Sequence, residues 1–492
     1  MPKFLKISLW IATAMVAIIA LAVVGVFFID ANAFKPRLEA AASRASGMQV
    51  RIVGNLRFGF SPGLYVAMQD VQIRNRGIDV GSAPSAQLGI DILPLLQKKV
   101  RVRSATITDA KLYIERDAKG ILNFENTQKP KGTPRILDLQ QLSAAQASVI
   151  YVDKKSAKRI EAKDCKLEAS RLRLTGMSGA DLMTNIQLTA NLSCARVADK
   201  DYAISNLKLS ANGEKGIFNL KPLRLLVFGG QGSGQVMADF SNAEPRWKVQ
   251  YSLAKFRVEE VLASVQSTQM VKGLMDFTAS LSLQGKTRQS LQSSVHGEAI
   301  LRGENLMLTG RNLDRELARY DSTQNFNLVD LGALFFAGPI GLAITKGHDY
   351  ANLFRGKGGN SEIRTVLSQW RIEHGVADAQ DVAIATPENR LALRGGLDFA
   401  NQGYQHVTVA LVDSQGCTLV RQKIRGPFRK PVVDKPNIIK AFAGPALKLL
   451  AKTKEVFTGK QCELFYSGSV AAPDPGPKRK KSILTDGITS DK

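Results

Sequence analysis

Apolar and polar side chains alternate along several stretches of this chain. Residues 184–195 read TNIQLTANLSCA, and every second residue from Ile186 to Cys194 is apolar. A period of two is typical of a β-strand with one wet face and one apolar face. The apolar face has two interpretations: it packs in a closed core, or it lines a groove for a hydrophobic ligand.

The same alternation recurs over most of the chain after residue 49, for example at 111–116, 206–211, 275–285 and 389–399. Gly, Asn and Asp separate most of these strands, as hairpin turns require. The candidates for a groove lining share this alternation, and for each one packing in a sandwich core is the alternative. They are Ile186, Leu188, Ala190, Leu192, Leu207, Leu209, Phe277, Leu281 and Leu283.

Helical spacing is rare. Short helices are predicted after residue 34, ending at Gly47, and at 257–266 and 314–320, with a longer amphipathic helix at 437–457. The glycine-rich segment 228–235 is interpreted as a hairpin bend, since it lacks the spacing of a phosphate-binding loop. Without alternating strands and helices, nucleotide-binding folds are disfavoured.

The predicted fold class is mainly β: an N-terminal transmembrane helix, then a long twisted antiparallel sheet with few short helices. Strands twist, so a sheet this long must close, stack or curl. A lengthwise curl would join the apolar faces into one elongated groove. About 25 strands at ~4.8 Å each would give a groove on the order of 120 Å long.

An uncharged run from Ile7 to Ile29 predicts the membrane anchor. At ~1.5 Å per residue it spans the ~30 Å hydrocarbon core. A cleaved signal peptide is the alternative, but its apolar region is typically ~7–15 residues. Lys3 and Lys6 precede the run, which predicts a cytoplasmic N-terminus and an exported body.

Composition and charge restrict the classes of molecule that this protein is expected to bind. The chain has 492 residues, of which 44% are apolar, and its formal net charge is +24. So basic a chain suggests an anionic partner, but an exported body excludes nucleic acid, and no nucleic-acid-binding motif is present. The densest basic cluster, residues 477–482, is interpreted as part of a solvated, disordered tail, with weak attraction to an anionic membrane as the alternative.

Four cysteines are present: Cys165, Cys194, Cys417 and Cys462. An exported chain meets an oxidising environment, and four cysteines allow three pairings. Nearest-neighbour pairing closes two local loops and is preferred, with the other two pairings still open. No spacing typical of a metal site is present.

No catalytic motif is present. GxSxG, HExxH and a Cys/His constellation are all missing from the sequence. Carboxylates such as Glu259, Glu260, Asp378 and Asp381 fit ordinary solvated positions. We therefore expect a protein that is not an enzyme, with no cofactor and no metal.

Several motifs follow the predicted anchor in a characteristic order. Residues 44–75 lead to 86–126, which contain DILPLL at 91–96 and RDAKG at 116–120. Near the C-terminus, GCTLVRQKIRGPFRKP and CELFYSGSVAAP contain Cys417 and Cys462. In this order the motifs resemble the AsmA family of envelope proteins in Gram-negative bacteria.

This resemblance implies a fold similar to bridge-type lipid carriers, with twisted β-sheets curled into a groove and tethered to the inner membrane. Larger members are linked to phospholipid movement toward the outer membrane, and shorter members to outer-membrane protein assembly and lipopolysaccharide levels. The expected function is to hold or conduct phospholipid in a hydrophobic β-groove that supports outer-membrane biogenesis. The alternative is a periplasmic scaffold that regulates the assembly or targeting of outer-membrane proteins.

Together with the predicted anchor and basic tail, the resemblance implies an organisation along the chain, in a single-pass protein of the bacterial inner membrane with a periplasmic body. The expected parts are a cytoplasmic N-terminus at 1–6, the anchor at 7–29, an AsmA-like N-terminal groove region at 30–270, an AsmA-like C-terminal β-rich region at 271–472 and a disordered basic tail at 473–492. The expected partners are the inner membrane, phospholipid and, for the alternative function, outer-membrane assembly proteins.

Overall fold

The computed structural model describes residues 30–60, 63–91, 94, 101–125, 136–175, 182–265, 271–318, 358–435, 437–438 and 462–473. In these ranges the protein is mainly β, as predicted, and its few helices are short.

The strands are β1 Gln49–Ile52, β2 Leu56–Gly59, β3 Tyr65–Asn75, β4 Ile78–Ile90, β5 Val102–Thr108, β6 Lys111–Arg116, β7 Ile136–Asp153, β8 Lys158–Thr175, β9 Ile186–Ala198, β10 Ala203–Glu214, β11 Ile217–Val227, β12 Gly230–Asp239, β13 Arg246–Arg257, β14 Val271–Lys272, β15 Leu274–Gln284, β16 His296–Thr309, β17 Asn360–Glu373, β18 Val376–Ala385, β19 Arg390–Asp398, β20 Gly403–Val412, β21 Thr418–Pro427, β22 Val432–Val433 and β23 Asn437–Ile438. The helices are a 3-10 turn at Ala31–Phe34 followed by α1 Lys35–Ser46, α2 Leu182–Asn185, α3 Val258–Val265, α4 Arg288–Ser294 and α5 Leu313–Ala318.

Helix α1 forms where the sequence predicts it. Pro36 lies in its first turn, where a missing N–H costs nothing. Gly47 ends the helix with φ 73°, a left-handed conformation that favours glycine, and its N–H donates to the Ser43 carbonyl at 2.9 Å. The predicted helices at 257–266 and 314–320 are confirmed as α3 and α5.

Two predicted segments fall largely outside the described residues. The anchor at 7–29 does so entirely, and within the ranges that are described no helix is both long and apolar enough to cross a bilayer. Of the predicted helix at 437–457, only Asn437–Ile438 is described. These two residues form β23, because their backbone pairs with Val420 and Arg421 on β21. From residue 474 onward the basic tail also lies outside the described ranges.

The chain divides into two compact units. The first contains the described residues up to Phe256 together with Phe277–Gly297, and the second contains Arg257–Asp276 and the described residues from Glu298 onward. The sequence-based boundary between residues 270 and 271 stays a prediction.

In the first unit, most strands are hydrogen-bonded to the next strand along the chain or to the one after it. β1 and β2 both pair with β3, which pairs with β4. From β7 to β13, each strand lies antiparallel to the next one along the chain. The predicted antiparallel sheet is therefore confirmed over this segment.

The antiparallel prediction fails at one place, since β5 and β6 both run parallel to β7. β5 and β6 run in the same direction. The break between them includes Asp109, whose φ is 53°. The chain then has 19 residues, 117–135, before β7 begins at Ile136, enough for the crossover that a parallel pair requires.

Both predicted disulfides form. Cys165 and Cys194 are direct cross-strand partners on β8 and β9, with Cα atoms 4.0 Å apart. Cys417 and Cys462 also pair, with Cα atoms 5.5 Å apart. Nearest-neighbour pairing is therefore confirmed, and each bond closes a loop within one unit.

The second unit has a filled interior. β17 to β21 form an antiparallel succession, and residues on both faces of β19 are buried. Its core contains Leu367, Ala383, Ala385, Ala392, Ala410, Val412, Phe465, Tyr466 and Val470.

The C-terminal segment 462–473 is held against this unit by polar contacts as well as by its disulfide. Tyr466 donates its hydroxyl to Asp381 Oδ1 at 2.6 Å, and the Ser469 N–H donates to Asp381 Oδ2 at 2.8 Å. Buried Arg390 donates to the Val470 carbonyl at 2.9 Å. Asp381 is therefore a structural acceptor, where the sequence predicted an ordinary solvated carboxylate.

Candidate functional site: an apolar sheet face

The register of β8 to β13 places apolar residues opposite one another across six strands. One row, named the leucine row here, contains Leu167, Leu192, Leu209, Leu223, Gly234 and Tyr251, each the direct partner of the next. At ~4.8 Å per strand this row is about 24 Å long. Half of a bilayer's hydrocarbon core is only ~15 Å thick, so the row is long enough to contact an acyl chain along its length.

Two further rows flank the leucine row on the same side of the sheet, because side chains two residues apart share a face. One contains Ala169, Ala190, Ala211, Leu220, Val236 and Val249. The other contains Leu188, Gly213, Phe218, Ala238 and Trp247. The three rows together are called the apolar face below.

The larger side chains of the apolar face are only half-buried. Leu192, Leu209 and Leu223 all keep part of their surface open to solvent. In the second unit, by contrast, Leu391 and Val409 have 0% exposure. The apolar face thus differs from a closed core, because among the described residues its larger side chains stay partly exposed.

Strand β12 is lined on this face by glycines. The sequence predicted a hairpin bend over 228–235, but the turn occupies only Phe228 and Gly229, and β12 begins at Gly230. The Tyr251 hydroxyl and Leu225 lie over Gly232, so a Cβ there would overlap both. At Gly234 a Cβ would overlap the Gln250 carbonyl oxygen. Gly234 is therefore required by the close approach of the β13 backbone, whereas at Gly232 two side chains occupy the place of a Cβ.

The apolar face carries no ionised group at neutral pH among the residues of its rows. Tyr251 is its only titratable side chain, and burial raises the pKa of this phenol. The phenol therefore stays protonated and uncharged. This surface is suited to contact with hydrocarbon.

The sequence-predicted groove candidates occupy strands β9, β10 and β15. The register brings Leu192 against Leu209 and Leu188 against Gly213, while Leu207 faces Cys194. All nine candidates (Ile186, Leu188, Ala190, Leu192, Leu207, Leu209, Phe277, Leu281 and Leu283) are half-buried. The last three lie on β15, which is hydrogen-bonded to β13. Their role as a lipid lining stays a prediction.

The contributions of β8, β11, β12 and β13 to the apolar face were not predicted from the sequence. On β13 the alternation of Trp247, Val249, Tyr251 and Leu253 is as regular as that of β9 and could have been found. On β11 the signal is broken, because Pro222 lies in a register shift between Leu220 and Leu223. Only the cross-strand pairs show that these residues belong to the same rows.

The opposite face of the same strands is polar. Ser193 faces Lys208, and Lys208 faces Arg224. Thr189 faces Asn212, and Asn212 faces Asn219. Strands β8 to β13 therefore have one apolar face and one hydrated face.

No metal-binding cluster is present among the described residues, as judged from groups of three or more His, Cys, Asp or Glu side chains. Of the carboxylates considered at the outset, Glu259 accepts a hydrogen bond from the Gly273 N–H at 3.1 Å. Glu260 pairs with Arg257 at 3.4 Å. These contacts are structural.

Fold and site together define a large, mainly antiparallel β-sheet protein with a half-exposed apolar face. The model of the AsmA family matches residues 1–193 and 138–347. Since these two overlapping segments cover more than half of the chain, the protein belongs to the AsmA family. Membership of this family suggests an envelope- or lipid-related role. Searches of curated proteins and of solved structures gave no match.

Proposed function

We propose that this protein holds or conducts phospholipid on the apolar face of β8–β13, in support of outer-membrane biogenesis. Acyl chains lie along the apolar rows, and the head groups remain in water. The protein acts as a carrier without catalysis, cofactor or metal. It is tethered to the bacterial inner membrane by residues 7–29, with a cytoplasmic N-terminus and a periplasmic body. In a curled sheet the apolar face lines an elongated groove.

The leucine row carries this proposal. Five of its six members are large side chains, and all five are half-buried. A continuous apolar surface that stays partly exposed across six strands is typical of an interaction site. A row of leucines with no charge offers no specific chemistry to a polar ligand. It does fit a hydrocarbon chain, whose burial is favourable by about 0.8 kcal/mol per methylene.

The energy of such binding is spread evenly along the acyl chain. Each methylene that moves between neighbouring leucines exchanges one apolar contact for another, so displacement along the sheet requires little net free energy. A carrier of this kind binds by total buried area rather than at one anchoring residue.

The experiment measures phospholipid bound to the purified full-length chain. Chains extracted in mild detergent are analysed by mass spectrometry for phospholipid per chain, and Leu192→Asp is compared with wild type. Lipid around residues 7–29 is common to both chains, so the difference reports the apolar face. We expect wild type to retain more phospholipid than Leu192→Asp.

Equal phospholipid in both chains would contradict the proposal. If the same substitution instead abolished copurification of outer-membrane assembly proteins and left lipid unchanged, the scaffold function would be favoured. Thr189→Asp serves as the matched control, since it places the same carboxylate on the opposite face of β9, away from Lys208.

A further inference from the structure

The hydrated face of β9–β11 carries a group of cations without carboxylate partners. Arg196, Lys208 and Arg224 lie on three successive strands, and all three side chains are exposed. Among the described residues none of them forms an ion pair with an acidic side chain. These three residues are called the basic patch below.

The register places like charges directly opposite each other. Lys208 is the cross-strand partner of Arg224, and Arg196 is the partner of Lys163 on β8. Like charges in directly opposed positions destabilise a sheet. The repulsion within the isolated chain would be relieved by a bound anion.

Several other cations of the first unit, unlike those of the basic patch, form ion pairs with nearby carboxylates. On β8, Lys163 lies 3.3 Å from Glu161, and Lys166 lies 2.6 Å from Glu168. Glu115 on β6 forms an ion pair with Lys154, whose Nζ lies 2.6 Å from Glu115 Oε1. The three cations of the basic patch thus differ from Lys154, Lys163 and Lys166, each of which has an acidic partner nearby.

The remaining cross-strand neighbours of the basic patch are serines. Arg196 faces Ser205, Lys208 faces Ser193, and Arg224 faces Ser233. Hydroxyl groups can donate hydrogen bonds to phosphate oxygens, and guanidinium groups bind phosphate in bidentate fashion. The patch thus offers charge and hydrogen-bond donors, with no carboxylate among its direct cross-strand partners.

We propose that the basic patch docks this protein onto an anionic phospholipid bilayer surface. The cations lie on successive strands of a sheet face, about 10 Å across, and do not converge on one pocket. Laterally mobile lipid phosphates can match this spacing, whereas a single small anion would contact only one or two of the cations. This docking goes beyond the proposed function, since it uses the opposite face of the sheet.

The test measures capture of the full-length chain by vesicles. The chain is reconstituted in phosphatidylcholine nanodiscs, which accommodate residues 7–29, and is sedimented with vesicles of phosphatidylcholine alone or with about 30% phosphatidylglycerol. We expect binding only to the anionic vesicles, falling steeply as salt rises above ~0.1 M because screening weakens the attraction.

Substitutions locate the surface. Each of Arg196→Gln, Lys208→Gln and Arg224→Gln should weaken binding roughly fivefold, and the triple variant about 100-fold. The matched control removes equal charge from exposed turn residues, as Lys155→Gln, Lys200→Gln and Lys215→Gln. The control triple variant should bind nearly as tightly as wild type.

Equal binding to both kinds of vesicle would overturn the proposal, and so would an equal loss of vesicle binding in the control triple variant. Tighter binding to soluble polyglutamate than to anionic vesicles would also overturn it, because the patch would then fit an acidic protein. Circular dichroism and intact disulfides verify folding. If the triple variant misfolds, the single variants test the proposal instead. Arg196→Lys, which conserves the charge, should keep most of the vesicle binding. Phospholipid on the apolar face is measured separately, so failure here leaves the carrier function testable.

Discussion

Leu192 on β9 and Leu209 on β10 are direct cross-strand partners, and the adjacent pair is Ser193 with Lys208. Because successive side chains point to opposite faces of a sheet, the leucine pair and the polar pair lie on opposite sides. Two neighbouring positions in the register thus separate an apolar surface from a polar, cationic one.

A charge on the apolar face should remove bound lipid. Leu209→Asp places a carboxylate in the middle of the leucine row, where contact with an acyl chain costs about 3 kcal/mol. We expect this variant to lose most of the phospholipid that copurifies with wild type, as measured by mass spectrometry.

The control for that variant is Asn212→Asp. Asn212 lies on the same strand, is exposed, and faces Thr189 and Asn219 on the polar side. It should leave bound phospholipid unchanged. Comparable lipid loss in both variants would show that the effect is general and does not arise from the apolar face.

Truncation of a leucine to alanine should lower the free energy of unfolding much more in the second unit than on the apolar face. Leu391 is completely buried, and Leu391→Ala should destabilise its unit by about 3 kcal/mol through lost burial and a residual cavity. Half-buried Leu209→Ala should cost about 1 kcal/mol. Hydrogen exchange on β19 and β10 measures both. Similar costs at the two sites would indicate that the apolar face is a packed core.

The disulfide between Cys165 and Cys194 should stabilise β8 and β9. It closes a loop with a sequence separation of 29 residues, and the loop-entropy model gives about 3–4 kcal/mol for that length. The Cys165→Ser, Cys194→Ser double variant should show faster exchange in these strands. The Cys417→Ser, Cys462→Ser variant is the control and should affect the second unit. Unchanged exchange in β8 and β9 would refute this role.

Acid should weaken the region around Glu115. Hydrogen bonds from the Lys154 ammonium and then the Tyr113 hydroxyl hold the pKa of this carboxyl below its ordinary value of 4.5. A lowered folded-state pKa contributes stability that is present above about pH 4.5 and is lost as pH falls through the folded-state value. Glu115→Gln should therefore flatten the acid dependence of exchange in β6 and β7. An unchanged pH profile would contradict this assignment.

The strands could be predicted from the sequence because a period of two needs no knowledge of neighbouring strands. Ile186 to Cys194 shows this period plainly, and β9 lies there. The cysteine pairs were also predictable, because each joins nearest neighbours along the chain.

What the sequence could not give is the partner of each strand. The glycines of β12 led to the prediction of a turn, although they alternate with Gln231, Ser233 and Gln235 as a strand requires. Parallel pairing of β5 and β6 with β7 depends on a crossover whose path no local pattern encodes. The apolar face is likewise a property of register across six strands, so single-strand patterns identified only part of it.

Site-specific photocrosslinking in living cells tests the lipid carrier most directly. A photoreactive amino acid is placed in turn at Leu192, Leu209 and Leu223 on the apolar face, and at Thr189, Asn212 and Asn219 on the polar face. Our account predicts phospholipid adducts from the three apolar positions and none, or far fewer, from the three polar positions. Adducts of equal yield from both faces, or only protein adducts from the leucine positions, would contradict it.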